Sequence, residues 1–356
     1  MKLFEKLKYL LKMVKLYRIV NAISICKEQG WSGVKYHFLL VRDKERGLQE
    51  RKRRTYEIRP ICKHQSLEQY RLLTFSVFER PLVSIIIPVY NQFAYTYNCL
   101  LAIKKYCENI SYEIIVADDC SADFTAELEK VAEGINVIHN KENYQFLLNC
   151  NHASKNAKGK YLVFLNNDTQ VQKCWLKSLL DLMETEEKIG LAGSKLVYPS
   201  GLVQEAGGIV WRDANVLQYG NGRQAGEDEL NFLRKTDYIS GASIIIRKEL
   251  WDEIGGFDER FAPAYYEDVD LAFQVREKGF KVVYQPESEV IHFEGITEKN
   301  DCERNSIISK NRRTFADKWR ISLEREHFEA KDYLKAVQRM KKEKWYSSEN
   351  VKGNLL

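Results

Sequence analysis

The sequence predicts an α/β fold with a mostly parallel central β-sheet and helices on both of its faces. Strand-like segments alternate with helical segments along most of the chain, which is the order that produces parallel sheets. The strand segments are apolar throughout, as in LVSIIIPV at residues 82–89, and such strands are usually buried on both faces. Apolar residues make up 44% of the 356 residues, so we expect an ordinary globular protein.

The alternation begins near residue 81. Residues 82–89 predict the first strand, and a helical pattern follows to about residue 107. The helix predicted at residues 267–278 is followed by Gly279, a residue that commonly ends helices. The remaining predicted elements are strands at residues 112–117, 136–139, 161–165, 242–246 and 280–284, and helices at residues 126–133, 145–157 and 175–184.

Charge is distributed unevenly along the chain, and it suggests three regions. Residues 1–80 predict a basic helical extension, residues 81–295 the α/β domain, and residues 296–356 a charged helical tail. The net charge is +5, but the central region carries an excess of Asp and Glu. A domain that binds nucleic acid needs a basic groove, so we expect no nucleic-acid partner.

The first 26 residues predict a basic amphipathic helix, because leucines and valines recur at helical spacing between lysines. Lysines interrupt the apolar residues throughout, which argues against a signal peptide. Two interpretations stay open: the helix lies on an anionic membrane surface, or it packs on the rest of the protein.

Eight cysteines are present, and none forms a Cys-x-x-Cys pair. This spacing suggests neither a zinc site nor a disulfide framework. We therefore expect reduced thiols and a cytoplasmic location, with peripheral contact at the inner face of the cell membrane if residues 1–26 bind lipid.

Polar side chains follow three of the predicted strands where they end, and in a doubly wound sheet ligands bind beyond these ends. These residues are Pro88, Tyr90 and Asn91 in the first strand, Asp118 and Asp119 in the second, and Asn166, Asn167 and Asp168 in the fourth. No glycine-rich phosphate-binding loop is present. A ligand that carries phosphate would therefore need a divalent metal ion held by a carboxylate such as Asp168.

An acidic helix start and a lone histidine lie further along the chain. The acids of YYEDVDL, at residues 265–271, could simply favour the positive end of a helix dipole. His292 is at the end of another apolar segment, and a lone histidine is more often structural than functional.

Six motifs occur in register: VSIIIPVYN, VADDCS, FLNNDT, SGAS, GGFDERFAPAYYEDVDLAFQVREKGF and VIHFEG. Together they resemble the family 2 glycosyltransferases with the GT-A fold, over roughly residues 82–295. The stretches EAGGIVW and AYYEDVDLAF are similar to a subgroup that builds bacterial surface polysaccharides, often as rhamnosyltransferases. The resemblance implies transfer of a sugar from a dTDP- or UDP-sugar to a saccharide acceptor, which is often linked to a lipid carrier.

The resemblance also implies a role for each polar strand end. Pro88, Tyr90 and Asn91 would contact the nucleotide, Asp118 would accept a hydrogen bond from the base, and Asp119 would lie nearby. Asp168 would bind Mg²⁺ or Mn²⁺, and His292 would complete the metal shell. Asn166 stands where many members have a first aspartate, which removes one charge from the site; Asn167 lies between the two.

The catalytic and acceptor residues follow from the same comparison. Asp268 would be the general base that takes the proton of the acceptor hydroxyl, and Glu267 would orient the acceptor or the base. Gly241, Ala242 and Ser243 would approach the acceptor. One base and one metal on opposite sides of the anomeric carbon imply a single displacement with inversion.

Two other functions compete with this interpretation. A sugar-1-phosphate nucleotidyltransferase should carry Gly, Arg and Lys near its first strand, and residues 82–98 contain none of them. A non-catalytic membrane-associated scaffold with the same fold would have no need for Asp168, Asp268 and His292 together.

Overall fold

The computed structural model describes residues 55–107, 109–295 and 301–342. The helix predicted at residues 1–26, with its membrane-contact hypothesis, lies outside the described residues. No helix in the described ranges is both long and apolar enough to cross a membrane.

A ten-stranded sheet forms the centre of the described part of the chain. The strands, in chain order, are β1 (Leu73–Thr74), β2 (Val83–Val89), β3 (Tyr112–Asp118), β4 (Ala132–Glu133), β5 (Asn136–His139), β6 (Tyr161–Leu165), β7 (Thr169–Val171), β8 (Ile189–Val197), β9 (Val203–Glu205), β10 (Gly208–Val210), β11 (Val216–Gln218), β12 (Arg234–Lys235), β13 (Ser243–Arg247) and β14 (Lys281–His292). The sheet has the order β12-β14-β8-β13-β6-β2-β3-β5, with β7 beside β14 and β9 beside β8.

The α/β prediction is confirmed, but only part of the sheet is parallel and the rest is mixed. Strands β6, β2, β3 and β5 are parallel neighbours, as expected for this order of elements. Strand β13 is antiparallel to both β6 and β8, whereas β14 is parallel to β8. The first half of the chain therefore forms the parallel part, and the second half extends it as a mixed sheet.

Helices cover both faces of the sheet. They are α1 (Phe93–Tyr106), α2 (Gln145–Ser154), α3 (Trp175–Thr185), α4 (Lys248–Ile254), α5 (Glu267–Glu277), α6 (Asp301–Lys318), α7 (Arg320–Glu326) and α8 (Tyr333–Lys342). Successive residues of β2 belong to different cores: Ile85 and Ile87 pack with α1 and α3, and Ile86 packs with α2 and α4. Burial of both faces explains why these strands are apolar at every position.

Two predicted helical segments have other structures. The segment predicted as a helix at residues 126–133 is a 3₁₀ helix, Phe124–Lys130, followed by strand β4. Pairing of β4 with β1 outweighs local helix propensity there, and Glu127 has non-helical backbone angles. Residues 55–80, predicted as part of a helical extension, contain a 3₁₀ turn and the short strand β1 instead.

Two glutamine side chains hold the start of the described chain in an extended form. The Gln170 amide accepts a hydrogen bond from the Arg59 N–H at 2.8 Å and donates to the Arg59 carbonyl at 2.9 Å. Gln172 makes the same pair of contacts with Glu57, at 3.2 and 3.3 Å. Because the glutamines satisfy these backbone groups, the segment has no need of helical hydrogen bonds.

The C-terminal helices share the core of the α/β domain. Phe315 and Trp319 are buried, and both rings contact Phe273 of α5. Ala336 and Met340 of α8 are buried in the same core. Residues 301–342 therefore pack against the domain as part of one structure.

Candidate active site

A cleft of about 1390 Å³ opens beside the polar strand ends. All but three of the predicted site residues line it: Pro88, Tyr90, Asp119, Asn166, Asn167, Asp168, Gly241, Ala242, Glu267, Asp268 and His292. Pro88 and Asp168, about 80 positions apart, meet here because the carboxyl ends of β2 and β6 lie at the same edge of the sheet. The volume suits a ligand as large as a nucleotide sugar.

Strand pairing brings Asp168 and His292 together. Strand β7 starts directly after Asp168 and is antiparallel to the end of β14, with Thr169 opposite His292. The Asp168 backbone carbonyl accepts a hydrogen bond from the Phe293 N–H at 3.0 Å. As a result, Nε2 of His292 lies 3.2 Å from Oδ1 of Asp168, and both side chains are largely buried.

The other ring nitrogen of His292 is held by Gln204. Its Nδ1 lies 2.8 Å from Oε1 of Gln204, and because an amide oxygen can only accept, Nδ1 must carry the hydrogen. In the neutral ring, Nε2 then presents a lone pair toward the Asp168 carboxylate. Two electron-rich atoms that face each other in this way form a favourable pair of ligands for a cation.

A third ligand atom supports a cation site. Oδ1 of Asn166 is buried in the cleft wall and has no hydrogen-bond partner among the described residues. Carboxylate, amide oxygen and imidazole together suit Mg²⁺ or Mn²⁺. No cluster of three His, Cys, Asp or Glu side chains that could hold a metal occurs within residues 55–107, 109–295 and 301–342. Asp168, Asn166 and His292 fit a cation that would complete its shell with oxygens of a bound ligand.

Asp268 lies in the first turn of α5, on the wall of the same cleft. Its Oδ2 accepts a hydrogen bond from the Gly241 N–H at 3.0 Å, and its Oδ1 accepts one from the Val269 N–H at 2.8 Å. Burial raises the pKa of Asp268, while these two N–H groups act in the opposite direction. A carboxylate with a raised pKa is a stronger base than an exposed aspartate.

A strained loop presents Asp268 to the cleft. Tyr265 and Tyr266 both have left-handed backbone angles, with φ values of 72° and 75°, which non-glycine residues rarely adopt. The Asn311 side chain, on α6, donates hydrogen bonds to the carbonyls of the loop at Phe261, Ala264 and Tyr265, at 2.7, 3.0 and 2.9 Å. One buried amide thus holds the loop in a conformation it would otherwise avoid.

Asp119 lines the cleft but also organises the segment beside it. Its carboxylate accepts hydrogen bonds from Asn140 Nδ2 at 2.9 Å and from the N–H groups of Tyr144 and Gln145 at 2.7 Å each. These contacts fix the start of α2, so the side chain shapes this end of the cleft.

Three predicted site residues do not line the cleft. The Asp118 carboxylate contacts His139 Nδ1 at 2.7 Å and accepts from the Ser121 N–H at 3.0 Å. The Asn91 side chain accepts from the Ala122 N–H at 2.8 Å. Ser243 is buried, and its hydroxyl accepts from Trp175 Nε1 at 2.9 Å. In this geometry all three side chains are occupied by protein contacts.

The sequence did not reveal three residues that the structure ties to the site, namely Gln204, Glu205 and Asn311. Glu205 is fully buried in the cleft wall, and burial, its largest influence, raises its pKa to about 8. A polar pair inside the apolar segment VQEAGG was the available signal for Gln204 and Glu205. The only sequence signal for Asn311 was that it is a single asparagine in a charged helical segment.

Comparison with known proteins gives the family. The model of the family described as Glycosyl transferase family 2 matches residues 84–254. The O-antigen biosynthesis protein RfbC of Myxococcus xanthus is 34% identical over 164 residues, which cover 43% of this chain and 12% of RfbC. The putative teichuronic acid biosynthesis glycosyltransferase TuaG of Bacillus subtilis is 32% identical over 127 residues, 34% of this chain and 50% of TuaG. The chain thus spans half or less of the length of these relatives.

The fold also has a counterpart among solved structures. The structure of GalNAc-T7 with UDP, GalNAc and Mn²⁺ aligns with a TM-score of 0.50 and 16% identity, over 60% of this chain and 44% of that chain. At this identity the likeness concerns the fold alone. The matched domain, the motif order and the cleft agree with one another: residues 84–254 match the family 2 glycosyltransferases, and the chain has the GT-A fold.

Proposed function

We propose that this protein transfers a sugar from a nucleoside diphosphate sugar to a saccharide acceptor during the synthesis of a cell-surface polysaccharide. The observation that carries the proposal is the shared cleft, whose wall contains both the Asp168–His292 pair and the partly buried carboxylate of Asp268. The roles of RfbC in O-antigen biosynthesis and of TuaG in teichuronic acid biosynthesis support the pathway class.

Asp268 is the base in this proposal. A sugar hydroxyl is a poor nucleophile at neutral pH, so its proton must leave as it attacks the anomeric carbon. The N–H groups of Gly241 and Val269 orient the Asp268 carboxylate toward the cleft. Glu267, the preceding residue, also lines the cleft and is available to orient the acceptor.

Asp168, His292 and Asn166 form the opposite side. They would hold Mg²⁺ or Mn²⁺, which supplies positive charge for the diphosphate of the donor. Gln204 fixes the orientation of the His292 ring. A base and a cation on two sides of one reaction centre favour single displacement with inversion at the anomeric carbon.

The proposal also names the classes of donor and acceptor. Pro88, Tyr90 and Asp119 line the cleft where a dTDP or UDP moiety would lie. The EAGGIVW stretch favours rhamnosyl transfer. A lipid-linked acceptor at the inner face of the membrane, with contact through residues 1–26, would agree with the basic start of the chain.

A donor panel tests the proposed function. The purified full chain is incubated with dTDP-, UDP- and GDP-sugars and with saccharide acceptors, in Mg²⁺ or Mn²⁺, and release of nucleoside diphosphate is measured. We expect acceptor-dependent release from one donor class and its loss on chelation of the metal. No acceptor-dependent release from any donor would contradict the proposal.

A further inference from the structure

Glu205 is a buried acid that the proposed mechanism does not use. It ends strand β9, its side chain is fully buried, and it belongs to the wall of the cleft. An ionisable side chain is rarely buried so completely unless a partner compensates it.

Glu205 and Asp268 are held by consecutive peptide groups. The Ser240 N–H donates to Oε1 of Glu205 at 2.9 Å, and the next N–H, that of Gly241, donates to Oδ2 of Asp268 at 3.0 Å. Both carboxyl groups therefore lie against the same short segment of the cleft wall. On the other side, the neighbouring Gln204 contacts His292 of the cation-binding pair.

The Tyr238 side chain lies near the carboxyl group of Glu205, but the second oxygen of this group, Oε2, makes no hydrogen bond of normal geometry with any of the described residues. The pKa of Glu205 is raised to about 8, mainly by burial and also by the negative charge of Asp268, while the Ser240 N–H and the Tyr238 side chain act in the opposite direction. At neutral pH most molecules thus carry the uncharged acid, which can donate one hydrogen bond without repelling Asp268 or a diphosphate.

Strand β9 ends between the two halves of the site. The transferred sugar must lie there, because its anomeric carbon joins the diphosphate to the attacking hydroxyl. We propose that the carboxyl group of Glu205 binds a hydroxyl of the transferred sugar and so determines which donor is accepted. This inference rests on the proposed function, since it names the part of the substrate that Glu205 contacts.

The inference predicts a specific pattern among variants. Glu205→Gln keeps the shape and a hydrogen-bond donor, so its affinity for the donor should stay within about threefold of the parent. Glu205→Met removes the polar group, so the donor should bind about tenfold or more weakly, which is typical of one lost hydrogen bond in a buried site. The KM for the acceptor should be unchanged in both.

The test measures donor binding by calorimetry and steady-state KM for donor and acceptor, using the donor found in the panel and its series of monodeoxy analogues. The parent should reject one deoxy analogue, and Glu205→Met should bind that analogue and the full donor alike. Glu205→Gln provides the check if Glu205→Met fails to fold, because it should retain the discrimination.

Three results would overturn the inference: unchanged donor binding in Glu205→Met, a change in acceptor KM alone, or loss of discrimination in a folded Glu205→Gln variant. Failure of the proposed function itself is distinguishable, because then the parent would transfer no sugar in the panel.

Discussion

At the scale of single residues, the site depends on side chains that orient the proposed metal ligands through hydrogen bonds. Gln204 accepts the hydrogen of His292 Nδ1, which leaves Nε2 directed toward Asp168. Residues that orient a metal ligand in this way typically change metal affinity when they are removed.

Replacement of Gln204 by Leu should weaken metal activation. The His292 ring loses the partner that sets its tautomer, so we expect the metal concentration for half-maximal activity to rise by about 10- to 100-fold. Titration of activity with Mn²⁺ measures it. Gln218→Leu, which changes another glutamine of the cleft wall, is the matched control. An equal metal requirement in the parent and Gln204→Leu would show that Gln204 does not support a cation site.

Gly241→Ala should reduce turnover without loss of stability. A Cβ at Gly241 would lie 3.6 Å from Cβ of Asp268 and 4.0 Å from its Oδ2, which is ordinary van der Waals contact, so the fold should tolerate it. The methyl group would nevertheless occupy the cleft beside the proposed base. We expect an unchanged thermal midpoint and a lower kcat; full activity would mean that the acceptor hydroxyl does not approach Asp268 from this side.

At the scale of elements, the loop before α5 connects two regions that the sequence separates. Asn311 of α6 contacts three carbonyls of this loop, and two residues of the loop have left-handed backbone angles. Helix α6 therefore helps to position Asp268, although α6 lies beyond the matched family domain.

Replacement of Asn311 by Ala should lower kcat more than it raises the KM for the donor. Three carbonyls, one buried and two partly buried, lose their donor, so we also expect the free energy of unfolding to fall by about 1–3 kcal/mol. Steady-state kinetics and denaturant unfolding measure the two effects. Ser309→Ala, at an exposed position of the same helix, serves as the control. A stability loss with unchanged kcat would limit Asn311 to a structural role.

What the sequence could predict at this scale follows from local pattern. Strands buried on both faces are apolar without interruption, so β2, β3, β5 and β6 were predicted within one or two residues of their ends. Strand β4 and the extended chain at residues 55–72 were not predicted. Pairing with β1 determines the structure of β4, and hydrogen bonds from Gln170 and Gln172 determine that of the extended chain. The same reason hid Glu205 and Asn311, whose roles arise from contacts made only after folding.

At the scale of the whole molecule, a buried ion cluster joins the C-terminal helices to the sheet region. Asp237 accepts hydrogen bonds from Arg339 of α8 at 2.7 and 2.9 Å, and His327 lies 3.6 Å away. Burial alone would raise the pKa of Asp237. The contact with His327 and the charges of His327, Arg339 and Arg276 have the larger, opposite effect, so the pKa lies below its ordinary value.

Because the pKa of Asp237 is lower in the folded than in the unfolded protein, its contribution to stability is present above the unfolded value, near 4, and is lost as the pH falls below it. Arg339→Ala should reduce the free energy of unfolding at pH 7 by about 1–3 kcal/mol, since a buried carboxylate loses a partner. This difference should shrink at acidic pH. Urea unfolding at several pH values measures it, and the exposed Arg320→Ala is the control. A destabilisation independent of pH would contradict this explanation.

The central claim is that Asp168 and Asp268 serve two sides of one reaction in a shared cleft. The most direct measurement compares turnover and donor binding in Asp268→Asn with those of the parent, with Glu277→Gln at the exposed end of the same helix as the control. We expect donor binding to be unchanged and kcat to fall by about 10²- to 10⁴-fold, because the isosteric amide cannot take a proton. Equal turnover of Asp268→Asn and the parent would contradict the account.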